Sequence, residues 1–98
     1  MSYTGAAMTS IAAANDQAAA DLVLRLPAMG YLTPRVLPDG SVAALQDLMF
    51  TRAICLGCHE EGWASRFCFE DRALADLRFE QLQSEDDVPA GHVARRLA

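Results

Sequence analysis

The 98-residue sequence predicts an α+β fold: a small antiparallel sheet of about four strands, an N-terminal helix, and a second helix after the last hairpin, with both helices on one face. Three observations carry that expectation. An apolar stripe at helical spacing runs through the first quarter of the chain, two turn signals separate β-capable runs in the middle, and a capped, Leu-bearing stretch follows. The length allows one domain, residues 1–98, and a 52% hydrophobic fraction is ample for its core. No repeat, low-complexity segment or linker divides it.

Residues 1–8 read as a loose, small-residue lead, and Thr9 or Ser10 as the N-cap of a helix running to about Leu26. Ile11, Ala14, Ala18, Leu22 and Leu26 form its apolar stripe, while Asn15, Asp16 and Asp21 fall off it. Pro27 stops the helix and Gly30 supplies the exit. A short strand over Tyr31–Leu37 and a longer one over Ser41–Phe50 flank Pro38-Asp39-Gly40, a turn in which Pro presets one dihedral and Gly takes the positive one. Asp47 marks a bulge or break in the second strand. Residues 51–58 and 63–69 flank His59-Glu60-Glu61-Gly62, a second hairpin signal. Glu70 or Asp71 then caps a helix through about Gln83, with Leu74, Leu77 and Leu82 facing inward and Asp76 and Glu80 outward. Ser84–Asp87 is an acidic loop, Pro89-Ala90-Gly91 a turn, and His92–Arg96 a short final strand or tail; Leu97 and Ala98 resemble the start of a vector-derived tail.

The formal charge of −5 is uneven. Between residues 58 and 87 nine acids stand against Arg66, Arg72 and Arg78, a local charge of −6, whereas residues 1–57 are close to neutral. All eight basic residues are Arg and eighteen residues are Ala, as a GC-rich bacterial or viral coding genome would give. An acidic chain is not a generic nucleic-acid binder, which needs a basic footprint for phosphates. Its acidic half reads either as a solvated face that keeps a small protein soluble, or as a contact surface for a basic partner. With no basic n-region and no apolar h-region at the N-terminus, a cytoplasmic location is expected, with the three Cys reduced. No apolar stretch is long enough to span a bilayer.

Cys55-Leu56-Gly57-Cys58-His59 matches the C-x-x-C-H pattern of haem c attachment. Context opposes it: no export signal precedes it, and Met1, Met8, Met29 and Met49 all lie before the motif, where a second axial ligand is not expected. Zinc is the alternative, with Cys55, Cys58 and Cys68 joined by His59 or His92. Strand alternation puts Cys58 on the face of Ile54 and Leu56, and Cys55 on the other face near Cys68, so a metal would have to replace the end of the strand. The simplest reading makes these thiols small core hydrophobes, with no cofactor. Cys58 or Cys68 with His92 could be drawn as a catalytic pair, but nothing supplies an orienting acid or an oxyanion hole, and no enzyme is expected. Trp63, Phe67, Phe69 and Phe50 read as core aromatics, with an exposed one in an acidic rim as a binding hot spot.

The stretch from Phe50 through Cys55-Leu56-Gly57-Cys58-His59-Glu60-Glu61-Gly62-Trp63 to Phe69-Glu70-Asp71, with the Ala/Leu helix behind it, resembles small acidic proteins carried by bacteriophages and prophages. The resemblance covers about residues 50–83, and in that pattern the positions of Cys55 and Cys58 are commonly apolar. It brings no catalytic residues. It implies a non-enzymatic inhibitor of the anti-CRISPR type, which binds a host nucleic-acid-guided complex, in some cases by presenting carboxylates where phosphates would dock. The contact surface expected here is Glu60, Glu61, Trp63, Glu70, Asp76, Glu80, Glu85, Asp86 and Asp87. The partner would be a host protein or ribonucleoprotein with a basic surface, with no direct nucleic-acid binding, no membrane, and a homodimer through a free sheet edge as a further possibility.

Overall fold

The computed structural model describes residues 17–93; the expected N-cap, the lead at 1–8 and the tail after residue 93 lie outside them. The first helix, α1, covers residues 17–25 of the described chain and passes into a 3₁₀ turn over Leu26–Met29. Pro27 sits in the first turn of that segment, where its missing N–H costs nothing, and Gly30 closes it by donating to the Pro27 carbonyl. Four strands follow: β1 Leu32–Val36, β2 Val42–Asp47, β3 Arg52–Leu56 and β4 Ser65–Phe69. They form one antiparallel meander in the order β1-β2-β3-β4, and α2 (Arg72–Glu80) comes last. Asp71 caps α2 as expected, its side chain accepting from the Ala73 and Leu74 amides. The expected α+β class, four-stranded sheet and flanking helices are all present.

The helices do not share a face. Alternation along β2 sends Ala43 and Leu45 to one side and Val42 and Ala44 to the other. α2 covers the first side: Ala75 and Phe79 pack with Ala43, Leu45, Ile54, Leu56 and Phe69. α1 and its 3₁₀ turn cover the second, where Leu22, Leu26 and Tyr31 meet Val42, Ala44, Cys55 and Cys58. The reason lies in the central strands. Val42–Leu45 and Ala53–Leu56 are buried along their whole length, so each face needed its own cover.

Other differences are local. β2 stops at Asp47, which pairs with Arg52 as a regular strand end, and the bulge falls in β1 between Leu32 and Arg35. The inward residues of α2 are Ala75 and Phe79, with Leu74 partly buried; Leu77 is 48% exposed because it lies on the opposite side of the helix from Ala75 and Phe79. Leu82 is buried just beyond the helix end. Asp76 is half-buried and held by Arg52 rather than pointing free. Phe69 is core and Phe67 packs against it, but Phe50 is 83% exposed at the β2–β3 turn. The sheet edges are guarded. β1 carries Pro34 and the bulge, and outside β4 the Val93 amide donates to the Cys68 carbonyl at 2.7 Å, so neither edge offers a plain ladder for a second chain. Among the described residues no helix is long and apolar enough to cross a membrane.

Candidate functional site

Antiparallel connections place three loops at one end of the sheet: the β1–β2 turn, the β3–β4 turn, and the segment leaving α2. Asp39 ties two of them together. Its Oδ1 accepts from the Ser41 amide at 3.0 Å and from the Ser41 hydroxyl, while its Oδ2 accepts from the Glu85 amide at 3.0 Å. The Ser41 hydroxyl, the Glu85 amide and the Ser41 amide together hold the Asp39 carboxyl down at about 2. Gly57, with φ of +63°, joins the third loop: a Cβ there would lie 2.8 Å from the Ala64 Cβ and 2.8 Å from Glu85 Oε2. The Glu85 carboxylate thus rests against the root of the turn that carries Glu60 and Glu61. Within the last loop, Asp87 Oδ2 accepts from the Gln83 amide at 2.7 Å and the Ser84 amide at 3.2 Å, and the Ser84 hydroxyl accepts from the Asp86 amide at 3.0 Å.

The carboxylates of Glu60, Glu61, Glu85, Asp86 and Asp87 therefore gather, with Asp39, on short loops fixed by side-chain to backbone hydrogen bonds. Arg25 of α1 pairs with Glu60, the one ion pair at this end among the described residues. Trp63 stands beside the group, with the Arg66 guanidinium 4.8 Å from its ring centroid. The other expected contact residues are elsewhere. Glu70 follows β4 at the opposite end of the sheet, and Glu80 lies on α2 beside β1. Asp76 is bonded by Arg52 at 2.7 Å, and the same Arg grips Asp47 at 2.7 and 3.2 Å. That arrangement pushes the Arg52 pKa up, through Asp47 first and Asp76 second, and lowers that of Asp47. So the nine-residue surface resolves into one acidic end and three outlying acids. Asp39 was not singled out in the sequence, although an Asp inside Pro-Asp-Gly is the residue that bonds its own turn.

Cys55 and Cys68 lie on one side of the sheet as alternation suggests, but Cys58 does not lie with Ile54 and Leu56. The positive φ at Gly57 turns the chain before Cys58, whose amide donates to the Val42 carbonyl at 2.9 Å. Cys58 thereby joins Cys55 under α1 instead of Ile54 and Leu56. Burial pushes the Cys55 thiol up to about 12 and the Cys58 thiol up to about 11. Cys68 is half-buried on the same side of the sheet as Cys55. His59 is exposed in its turn, where its Nδ1 accepts from the Glu61 amide, and His92 packs edge-on against Phe67 at 5.0 Å. Among the described residues, no group of three His, Cys, Asp or Glu side chains is arranged to hold a metal ion, which counts against the zinc set of Cys55, Cys58, Cys68 and His59. Both sulfurs of the C-x-x-C-H stretch lie beneath a helix, where a porphyrin could not reach them.

No family model, curated protein or solved structure matches this chain.

Proposed function

We propose that the protein is a non-enzymatic binding protein that docks the acidic end of its sheet onto a basic surface of a host protein or ribonucleoprotein. The partner surface is of the kind that otherwise holds nucleic acid. Following the resemblance over residues 50–83, the first class to test is a CRISPR-type nucleic-acid-guided complex. The observation that carries this reading is the convergence of three loops, through Asp39 and Gly57, into one end bearing Glu60, Glu61, Glu85, Asp86 and Asp87. Carboxylates on loops fixed by hydrogen bonds lose little freedom on binding, so more of their attraction for an Arg/Lys channel survives as affinity. Trp63, backed by Arg66, supplies an amphipathic aromatic at the rim.

The test is charge reversal in the intact chain. Glu61→Arg with Asp86→Arg should weaken binding to the captured partner by about tenfold or more, since each reversed charge faces a like-charged surface. Glu70→Arg, at the other end, should leave binding within about twofold, as expected of a screened distant charge. Equal affinity for the double reversal and the wild type, with both folded by circular dichroism, would overturn the proposal.

A further inference from the structure

The face of the sheet under α2 is not filled as far as β1. A cleft of about 510 Å³ opens there between β1, β3 and α2, a size within the range of small-molecule sites. Its apolar surface comes from Leu32, Leu45 and Phe79. The β1 bulge, with Thr33 at φ +43°, falls beside the cleft, and Leu32 on it remains exposed.

Two guanidinium groups line the cleft, and they differ in one respect. Arg52 is neutralised by two carboxylates, Asp47 and Asp76. Arg35 has none within ion-pair distance among the described residues. Its guanidinium lies over the Phe79 ring, 5.2 Å from the centroid, and its Nη2 donates to the carbonyls of Phe79 and Leu82 at 2.6 and 3.2 Å. Among the described residues its buried Nε has no hydrogen-bond partner, and neither has Nη1. A partly buried guanidinium served only by neutral carbonyls, with a donor left over, lacks a counter-anion. Arg52, on β3 and lining the same cleft, has what Arg35 lacks.

We propose that this cleft binds a small monocarboxylate with an apolar body, the carboxylate on Arg35 and the body on Leu32, Leu45 and Phe79. The unoccupied Nη1 of Arg35 can donate a charge-assisted hydrogen bond to a carboxylate, and the ring beneath holds the guanidinium in place. Glu80 on the rim adds a negative charge that is not paired with Arg35, and it disfavours dianions such as phosphate monoesters. The site is separate from the acidic end and stands or falls independently of the docking proposal.

The experiment is an amide-shift NMR titration of the full chain with 3-phenylpropionate, with its neutral isostere 3-phenylpropanamide as the comparison. The carboxylate should move the amides of Leu32, Thr33, Leu45 and Phe79 and bind about tenfold more tightly than the amide, the scale of one charge-assisted hydrogen bond. Glu80→Gln should strengthen the carboxylate by about twofold to threefold and leave the amide unchanged. Arg35→Met keeps the stem over Phe79 and should erase the preference. Should that variant fail to fold, the wild-type pair and Glu80→Gln carry the test alone. Equal affinity for carboxylate and amide, or unmoved cleft amides with the carboxylate at about 10 mM, ten times the Kd of a weak 1 mM site, overturns the proposal.

Discussion

The two faces of one sheet are packed by different means. Under α2 the strands present Leu45, Ile54, Leu56 and Phe69, and the helix answers with Phe79, a layer of large interlocking side chains. Under α1 the same strands present Val42, Ala44 and Cys55, joined by Cys58 from the turn after β3, and the large residues come from α1 and its exit, as Leu22, Leu26 and Tyr31. On the first face the sheet supplies the bulk; on the second it supplies a shallow floor that small side chains make possible. The cysteines belong to that floor. Their chemistry follows from the space they fill, since a thiol is about the size a shallow, dry site accepts.

Cavities probe the contrast between the two faces most directly. Phe69→Ala removes the largest fully buried side chain and should cost about 3–5 kcal/mol, while Leu26→Ala on the other face should cost about 2–3 kcal/mol, both read from urea midpoints. If Leu26→Ala proved the more damaging, the α1 face would be the main core. Next in size is a chemical contrast among the thiols. With Cys55 and Cys58 buried and raised to about 12 and 11, brief iodoacetamide treatment of the folded protein at mildly alkaline pH should add one label, at half-buried Cys68. The same raised values give stability a sign: it is fully present below the unfolded thiol value of 9.0 and falls as pH rises toward 11 and 12, because the unfolded chain releases protons that the folded chain keeps. Cys55→Ala should flatten that alkaline decline; an unchanged slope would mean that another group causes it. The smallest effect belongs to Asp39. Its carboxyl is depressed from 3.8 to about 2, so its contribution is present above 3.8 and lost as pH falls through 2. Asp39→Asn should lower the urea midpoint slightly at neutral pH, and the gap to wild type should close below about pH 2.

Much of the fold was legible in the sequence because its signals are local. Pro38-Asp39-Gly40 fixed one hairpin, the Gly62-bearing turn fixed another, and Asp71 announced α2 through its own side chain. The placement of helices on faces was not legible from a reading that sought alternation. Val42-Ala43-Ala44-Leu45 and Ala53-Ile54-Cys55-Leu56 are unbroken apolar runs, the pattern of strands covered on both sides, and that signal called for a helix on each side. The inward residues of α2 were missed because Leu outranks Ala in hydrophobicity, whereas the close packing of helix on sheet favoured Ala75. Charge counting located the acids in sequence but not in space. Nothing local to Glu70 or Asp76 tells that one sits at the far end and the other is gripped by Arg52. The role of Asp39 needed the Glu85 amide, 46 residues away, to become visible.

The close contact at Gly57 makes the acidic end vulnerable to a lesion that alters no charge. A methyl group there would meet the Ala64 Cβ and the Glu85 carboxylate at once, on a backbone conformation that L-residues resist. Gly57→Ala would leave the net charge at −5, yet it would force the Glu85 loop and the Glu60–Glu61 turn apart. Spacing between carboxylates, as distinct from their number, is thus encoded in a residue that has no side chain.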